Sequence, residues 1–232
     1  MKETNIYIGN IENLNLETVR AELFQEMPLQ RQRRINLQKN EADRKRSLMA
    51  GYLLLWACQE HGIELCAYRE DESGKPYFAQ EQNSSSLFSF NLSHSGEYAV
   101  CGCSTQCRVG IDIQREREMP DTMATKILCE EEFKNLPKDA FLRQQMLLRY
   151  WTIKESYCKL TGDGLSYGFP NCYVDFERKM VIDCKKASTI SKRRAIAIQL
   201  AYFQEYEVAA GYYGAMCMEQ KVEEIGISFV TI

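Results

Sequence analysis

The sequence predicts an α+β fold made of two similar halves, 1–105 and 106–232. Segments with strand character outnumber the helical segments and follow one another in runs, which is typical of α+β proteins and not of doubly wound sheets. Each half combines a long helical segment with several strands of antiparallel character, and no obvious linker separates the halves. GxGxxG and GxxxxGK[ST] motifs are both absent, which argues against Rossmann and P-loop chemistry. No sequence identity between the halves is visible, so an internal duplication is a hypothesis only.

The N-terminal half is expected to begin with a strand at 4–9 and a helix at 15–27 that stops before Pro28. A second helix runs to His61, and Gly62 supplies its stop signal. Further strands are predicted at 64–69, after the turn in 73–78, at 87–92 and at 97–103, the last two joined by a bend around Ser93–Gly96.

The C-terminal half is expected to open with a strand at 108–114, after a short turn at 104–107. A helical segment at 121–137 ends at Pro137, and a long helix follows at 139–162 and ends on glycine. The remaining strands are predicted at 172–176, 179–184, 195–203, 206–213 and 227–231.

Composition narrows the functional classes. The chain of 232 residues is 45% hydrophobic and has a formal net charge of −3, which suits a globular core and argues against a general nucleic-acid binder. There is no apolar signal segment and no apolar run near the roughly 20 residues of a membrane span, so we expect a cytoplasmic protein with no membrane partner. The ten cysteines are then expected to be buried thiols. A zinc site at Cys101, Cys103 and Cys107 is the alternative, although their spacing is not CxxC.

The end of the long helix carries three residues on one face. Trp151, Glu155 and Lys159 are spaced i, i+4 and i+8, so they stand one above another. A carboxylate and an ammonium one turn apart would suit a Mg²⁺–phosphate site, whereas the simpler interpretation is a solvated ion pair. We expect Trp151 to pack this helix against the strand of residues 109–114.

That strand contains a charged residue in an apolar run. Asp112 lies between Ile111 and Ile113, where a carboxylate is costly to bury unless it is paired or bound to a metal. Gly110 leaves room for another group to approach the backbone. Mg²⁺ would take Asp112, a second carboxylate such as Glu155, phosphate oxygens and water. The alternative is that Asp112 caps a turn at the end of the strand.

Two further features could bind anions. A basic segment precedes and enters the second helix, and it forms either a solvated helix surface or a phosphate-binding flank. Its basic residues are Arg31, Arg33, Arg34, Lys39, Arg44, Lys45 and Arg46. His94 stands between two serines, where it either belongs to a hydroxyl-stabilised turn or contacts a phosphate.

Three blocks of this sequence, in order, resemble those of the surfactin-type 4′-phosphopantetheinyl transferases. They are FNLSHSG (90–96), VGIDIQ (109–114) and WTIKESYCKLTGDGL (151–165). The GKP segment (74–76) and the basic stretch before Arg46-Ser47 also match, so the resemblance covers about residues 30 to 170. Three ordered blocks are far more specific than any one of them.

The resemblance implies a monomer with two similar α+β halves related by a pseudo-twofold axis, and coenzyme A bound in the cleft between them. It also implies Mg²⁺-dependent transfer of the phosphopantetheine arm to a serine of an apo acyl or peptidyl carrier protein, with release of adenosine 3′,5′-bisphosphate. The C-terminal half would hold the metal and the catalytic helix, and the N-terminal half would contact the 3′-phosphate and the adenine.

Site residues follow from the resemblance position by position. Asp112 and Glu155 resemble the metal carboxylates, and Lys159 resembles the lysine on the coenzyme A phosphates. His94, Ser93 and Ser47 resemble the group around the 3′-phosphate. Arg31, Arg34 and Arg46 resemble its basic partners. Lys75 and Pro76 resemble the loop beside the adenine.

One position departs from the family pattern. Gln114 stands where the family often has glutamate, so the site has one negative charge fewer, although an amide oxygen can coordinate Mg²⁺ directly or through water. A non-catalytic module that binds coenzyme A or a carrier protein is therefore an alternative. An unrelated Mg²⁺-dependent nucleotide enzyme is another. The carrier is expected to dock near Met119 and Met123, unless these residues belong to the core.

Overall fold

A computed structural model describes most of the chain, namely residues 2–12, 14, 23–72, 74–79, 87–164, 167–184 and 200–231. The chain forms two compact units, Met1–Val109 with Val222–Ile232, and Gly110–Lys221. Both units combine helices with a sheet, so the predicted α+β class is confirmed.

Helices of the described residues are α1 (Leu29–Asn36), α2 (Glu41–His61), α3 (Asp121–Ile127), α4 (Glu130–Lys134) and α5 (Ala140–Thr161). Strands are β1 (Thr4–Asn10), β2 (Tyr68–Glu70), β3 (Pro76–Phe78), β4 (Ser89–Ser95), β5 (Tyr98–Ser104), β6 (Val109–Arg115), β7 (Cys172–Asp175), β8 (Met180–Asp183), β9 (Leu200–Tyr206), β10 (Tyr212–Met218) and β11 (Gly226–Phe229).

The first unit packs α2 on a four-stranded sheet with the order β11-β1-β5-β4. Strand β1 is antiparallel to β5 and parallel to β11. The buried face of α2, with Leu48, Leu53 and Leu54, contributes to a core that also contains Tyr7 and Phe90. The strand at 226–229 pairs within this unit, whereas the sequence-based division places it in the C-terminal half.

The second unit packs α5 on a five-stranded sheet with the order β6-β10-β9-β8-β7. Leu147 and Ile153 of α5 are fully buried in a core that also contains Val181 and Cys217. Asp139 caps α5 by accepting a hydrogen bond from the backbone of Leu142 at 2.9 Å. The helix packs mainly on β10 of this sheet, and it carries Glu155 and Lys159 near its C-terminal end.

Several predicted elements are confirmed and others need correction. Helix α2 ends at His61, with Gly62 in the left-handed conformation that favours glycine, as predicted. The single helix expected at 121–137 is two short helices, and part of the strand expected at 64–69 is the 3-10 turn Leu65–Ala67. Strand β10 begins at Tyr212, so the strand expected at 206–213 is displaced towards the C-terminus.

Parts of two predicted elements lie outside the described residues: 15–22 of the first helix and 195–199 of a strand. In the described part of the predicted helix 15–27, Phe24–Glu26 form a 3-10 turn. Among the described residues, no helix has both the length and the apolar character needed to cross a bilayer.

Candidate active site

The second unit brings Asp112 of β6 and Lys159 of α5 into direct contact. The Nζ atom of Lys159 donates to Oδ1 of Asp112 at 2.6 Å. The side chain of Asp112 is only 8% exposed, whereas that of Lys159 is 27% exposed. Tyr206 anchors the strand at the same point, because its hydroxyl donates to the carbonyl oxygen of Asp112 at 2.9 Å. The carboxylate predicted to be costly to bury is therefore compensated by a cation from the helix.

Glu155 lies one turn before Lys159 on the same face of α5. Burial raises the pKa of Glu155 above its usual value, the nearby charge of Asp112 raises it further, and Lys159 partly opposes both effects. The Glu155 carboxylate is consequently a better proton acceptor than an ordinary surface glutamate.

Gly110 explains how the helix comes so close to the strand. A Cβ atom on Gly110 would lie 2.2 Å from the carbonyl oxygen of Ser156 and 2.3 Å from the backbone nitrogen of Leu160. Any side chain at this position would push α5 away from β6. The absence of a Cβ atom thus permits the contact between Asp112 and Lys159.

The donor set suits a hard cation. Asp112 and Glu155 offer carboxylate oxygens, and Gln114, two residues beyond Asp112 on β6, has an amide whose Nε2 donates to the Arg115 carbonyl at 3.1 Å. Mg²⁺ commonly takes one or two carboxylates and completes its shell with phosphate oxygens and water. Among the described residues, no three or more His, Cys, Asp and Glu side chains are grouped to hold a metal, so a site here would depend on such outside ligands.

The zinc alternative receives no support from the cysteines. Cys101, Cys103 and Cys107 are buried free thiols of the first unit. Among the described residues, these cysteines do not form a group of three or more metal-binding side chains.

A buried ion pair beside the site was missed by the sequence analysis. Lys154 and Glu132 are both 0% exposed, and Nζ lies 2.5 Å from Oε2. Nζ also donates to three carbonyl oxygens, those of Ile127, Phe169 and Cys172. Glu132 in turn accepts from the backbone nitrogens of Cys129 and Val174, both at 2.8 Å. The pair therefore ties α5 to α4, β7 and the loops around them, immediately before Glu155 in sequence.

The sequence contained an indication that Lys154 is buried. Lys154 lies on the i, i+4 line of Tyr150 and Cys158, which are both buried, so its position on the helix already indicated a core environment.

A second feature, in the first unit, is an anion-compatible cavity of about 250 Å³. Five of the predicted coenzyme A residues line it: Arg31, Arg34, Ser47, Pro76 and His94. It is also lined by Gln38, Ala50, Asn91 and Leu92, which the sequence analysis did not select. Asn91 belongs to the FNLSHSG block and could have been found there, but Gln38 belongs to no motif.

Arg31 is the distinctive residue of this cavity. It is only 4% exposed, and its Nη2 donates to the carbonyl oxygen of Ser47 at 2.8 Å. Its Nε atom is buried and has no hydrogen-bond partner among the described residues. Burial lowers the pKa of Arg31 to about 10, so the guanidinium stays charged at neutral pH. Arg31 and Arg34 thus place positive charge at this cavity, which suits an anionic ligand.

His94 reaches the cavity from a regular strand. The bend was predicted to include Ser93–Gly96, but it is shorter. Ser93, His94 and Ser95 all pair with β5, and the turn lies at 96–97. Ser93 is buried in β4 and does not line the cavity.

Two other predicted residues also lie outside the cavity lining. Arg46 forms an ion pair with Asp43 and donates to the carbonyl oxygen of Gly96 at 3.0 Å. It therefore supports the turn that follows His94. The backbone of Lys75 pairs with Asp71 in the turn before β3. Contacts of Arg46 and Lys75 with coenzyme A stay predictions.

The expected roles of three apolar residues also change. Trp151 packs edge-to-face on Phe169, with ring centroids 5.2 Å apart. The Cζ atom of Arg117 lies over the Trp151 ring, 5.4 Å from its centroid. The close approach between helix and strand is made at Gly110 instead. Met119 is 2% exposed and Met123 packs against the core, so the core interpretation of these two residues is favoured over carrier docking.

Comparisons with known proteins agree on one family. A family model described as the 4′-phosphopantetheinyl transferase superfamily matches residues 108–213, and another, described as 4′-phosphopantetheinyl transferase, N-terminal, matches 19–106. The 4′-phosphopantetheinyl transferase psf-1 of Bacillus pumilus is 26% identical over 193 residues, which cover 82% of this chain and 77% of that protein.

Two further relatives match over shorter stretches. The 4′-phosphopantetheinyl transferase HetI of Nostoc is 34% identical over 52% of this chain and 49% of its own length. The 4′-phosphopantetheinyl transferase Sfp of Bacillus subtilis is 28% identical over 55% of this chain and 54% of its own length. The chain thus spans about half the length of these two curated relatives. It belongs to the 4′-phosphopantetheinyl transferase superfamily.

Proposed function

We propose that the protein transfers the 4′-phosphopantetheine arm of coenzyme A to a serine hydroxyl of an apo acyl or peptidyl carrier protein and releases adenosine 3′,5′-bisphosphate. The observation that carries the proposal is the constellation of Asp112, Glu155 and Lys159 on β6 and α5. Family membership and the names of the relatives support the same activity.

The chemistry is a displacement at phosphorus. The serine Oγ forms a bond to the phosphorus nearest the pantetheine, and the bond from that phosphorus to the bridging oxygen breaks. The bridging oxygen leaves with adenosine 3′,5′-bisphosphate. Glu155, one turn from Lys159 on the same face of α5, accepts the serine proton. Lys159 balances the negative charge that develops on the bridging oxygen as it leaves. Bound Mg²⁺, held by Asp112 and Glu155 with a weaker or water-mediated contribution from Gln114, would supply further charge neutralisation.

We assign the 3′-phosphate of coenzyme A to the cavity of the first unit. The positive charges of Arg31 and Arg34, together with His94 in the same lining, support a dianionic ligand there. Ser47 and Pro76 lie in the same lining, next to the proposed phosphate and adenine contacts. This assignment would let the protein distinguish coenzyme A from dephospho-coenzyme A.

The test of activity is direct. The protein is incubated with coenzyme A, Mg²⁺ and apo carrier proteins of fatty-acid, polyketide and peptide-synthetase type, and carrier masses are recorded. We expect a gain of one phosphopantetheine group, and we expect Glu155→Gln to abolish it while the circular dichroism spectrum is retained. Normal turnover by Glu155→Gln would contradict the role proposed for this carboxylate. Lys134→Met, which changes an exposed lysine of the same unit, should transfer normally.

The 3′-phosphate assignment has its own test. Arg31→Met should weaken coenzyme A binding about tenfold or more but change dephospho-coenzyme A binding little, because a charge-assisted contact is lost only with the former. Arg33→Met is the matched control, since Arg33 is exposed on the same helix and does not line the cavity. Equal losses for both ligands would contradict the assignment.

The second candidate function is a non-catalytic module that binds coenzyme A or a carrier protein. Gln114 is the observation that favours it, because a neutral amide weakens the charge available for a metal. Failure of every carrier to gain mass, with coenzyme A binding retained, would favour this candidate.

We also propose a monomer in the cytoplasm, without nucleic-acid or membrane partners. All ten cysteines are free thiols, which supports a reducing compartment.

A further inference from the structure

We propose that Lys159 and a divalent cation compete for the Asp112 carboxylate, so that metal binding releases the Lys159 ammonium for the substrate phosphates. Lys159 would then be a metal-gated residue and not a permanently available phosphate ligand. The inference rests on the proposed function, because that function supplies the metal and the phosphates.

The hydrogen bond between Lys159 and Asp112 occupies an oxygen that a metal ion would also need. Lys159 Nζ lies 2.6 Å from Oδ1 of Asp112, a charge-assisted hydrogen bond of ordinary length. A Mg²⁺ ion on the same oxygen would lie at about 2.1 Å from it. The two cations could then be no more than about 4.7 Å apart. Repulsion between a divalent and a monovalent cation at that distance opposes joint occupancy, most strongly where a carboxylate is as buried as Asp112.

The charges of the site favour exchange. Asp112 and Glu155 are two carboxylates, and Gln114 adds none, so a single divalent cation balances the group without Lys159. With both cations present, the site would carry surplus positive charge and would attract an anion. Metal binding therefore favours the state in which Lys159 leaves Asp112 and pairs with a phosphate. A glutamate at position 114 would weaken this coupling, because a third carboxylate could retain the lysine.

Lys159 is also able to move, in contrast to its neighbour Lys154. The Lys159 side chain is 27% exposed, so its flexible stem can swing towards solvent. The Lys154 side chain is 0% exposed and its Nζ is held by one carboxylate and three carbonyl oxygens. The same helix thus carries a lysine that can exchange its partner and one that cannot, and the second is an internal control.

The experiment follows the lysine ammonium groups by ¹⁵N-detected NMR. Buried or paired ammonium groups exchange slowly enough to give resonances, which Lys159→Met and Lys154→Met assign by their loss. Wild-type protein is titrated with Mg²⁺ alone. We expect the Lys159 resonance to shift or broaden with the midpoint that calorimetry gives for Mg²⁺ binding, while the Lys154 resonance stays unchanged. A Lys159 resonance that is unaffected at saturating Mg²⁺ would overturn the proposal.

A binding measurement gives an independent readout. Lys159→Met should bind Mn²⁺ at least about fivefold more tightly than wild type, because the competing ammonium is gone. Lys159→Arg retains a competing cation and should bind no more tightly than wild type. Lys134→Met removes an exposed lysine of the same unit and should change the affinity less than twofold. Unchanged Mn²⁺ affinity in Lys159→Met would also overturn the proposal.

Failure of the exchange and failure of the proposed function are distinguishable. Transfer to a carrier with no response of Lys159 to Mg²⁺ rejects the exchange alone. Exchange at Lys159 without transfer to any carrier rejects the proposed transferase activity alone. Wild-type protein that binds neither Mg²⁺ nor Mn²⁺ rejects both.

Discussion

Gly110 and Ser156 are in backbone contact: a Cβ atom on Gly110 would lie 2.2 Å from the Ser156 carbonyl oxygen. That contact brings α5 against β6, and it lies two residues before Asp112 and one residue after Glu155. The packing of a strand on a helix thus sets the distance between the two carboxylates of the proposed site.

We therefore expect Gly110→Ala to be strongly destabilising. The new methyl group would meet backbone atoms that cannot rotate away, so the cost should be about 3 kcal/mol or more. Any folded Gly110→Ala protein should also lose the Asp112–Lys159 contact, so its affinity for Mn²⁺ should differ from that of wild type. Urea unfolding and Mn²⁺ binding are the measurements.

Gly62→Ala is the matched control for Gly110→Ala. Gly62 has a φ of +65°, but no atom of the described residues lies within 4 Å of the place that an alanine methyl group would take. The substitution should therefore cost only the left-handed backbone strain of about 1–2 kcal/mol. A cost for Gly110→Ala no greater than that for Gly62→Ala would show that the close approach is unimportant.

Loss of the buried Lys154–Glu132 pair should have a larger effect than loss of a surface pair. Lys154→Met leaves Glu132 charged, buried and without its cation, which should cost about 3–5 kcal/mol of unfolding free energy. The double variant Lys154→Met with Glu132→Gln should recover part of that loss, because the uncompensated charge is gone. Denaturant midpoints measure both effects.

The control for this pair is Lys134→Met, which breaks the exposed i, i+4 pair with Glu130. Such a pair contributes about 0.5 kcal/mol or less. Similar losses for Lys154→Met and Lys134→Met would contradict a structural role for the buried pair.

Glu155 should make stability depend on pH when no divalent cation is present. Its pKa is raised by folding, so just above the usual pKa of glutamate the folded state holds a proton that the unfolded state has lost. The stability contributed by this group is present below the unfolded pKa and is lost as pH rises through the raised pKa. Glu155→Gln should therefore match wild type in acid and become the more stable protein above that window.

Unfolding in EDTA at a series of pH values measures this difference. Added Mg²⁺ should stabilise wild type at neutral pH and leave Glu155→Gln nearly unchanged, because the variant lacks one metal carboxylate. A stability difference between the two proteins that is the same at every pH would rule out the burial of Glu155 as its cause.

Gln114→Glu should strengthen metal binding. The substitution adds a third negative charge beside Asp112. We expect the Mn²⁺ affinity measured by calorimetry to rise by about fivefold to tenfold. Gln59→Glu adds the same charge at an exposed position of α2 and should have no such effect. Equal affinities of Gln114→Glu and wild type would mean that residue 114 does not contribute to the metal site.

Local patterns were sufficient for much of this protein. Periodicity and turn residues predicted the α+β class, the end of α2 at Gly62 and the long helix that ends near residue 162, because these features depend on residues close in sequence. The three motif blocks predicted Asp112, Glu155 and Lys159 as one group, and the structure brings Asp112 and Lys159 into contact. Boundaries failed where local preferences are weak, as in the two short helices within 121–137.

The remaining features depend on residues far apart in the chain. Arg31 is a buried cation whose Nε has no hydrogen-bond partner in the described part of the chain. Arg46, in the same basic segment, pairs with Asp43 and donates to the carbonyl oxygen of Gly96. A count of arginines cannot separate these outcomes, because each depends on which backbone carbonyl or carboxylate the fold brings near.

By itself, the sequence determined the class of fold, the family and the residue types of the site, since these are carried by local patterns and ordered motifs. Only the tertiary structure decided that Lys159 pairs with Asp112, that Lys154 is enclosed with Glu132, and that Gly110 admits the helix. Each of these depends on distances between side chains and backbone that arise when β6 and α5 pack, and spacing along one element does not encode them.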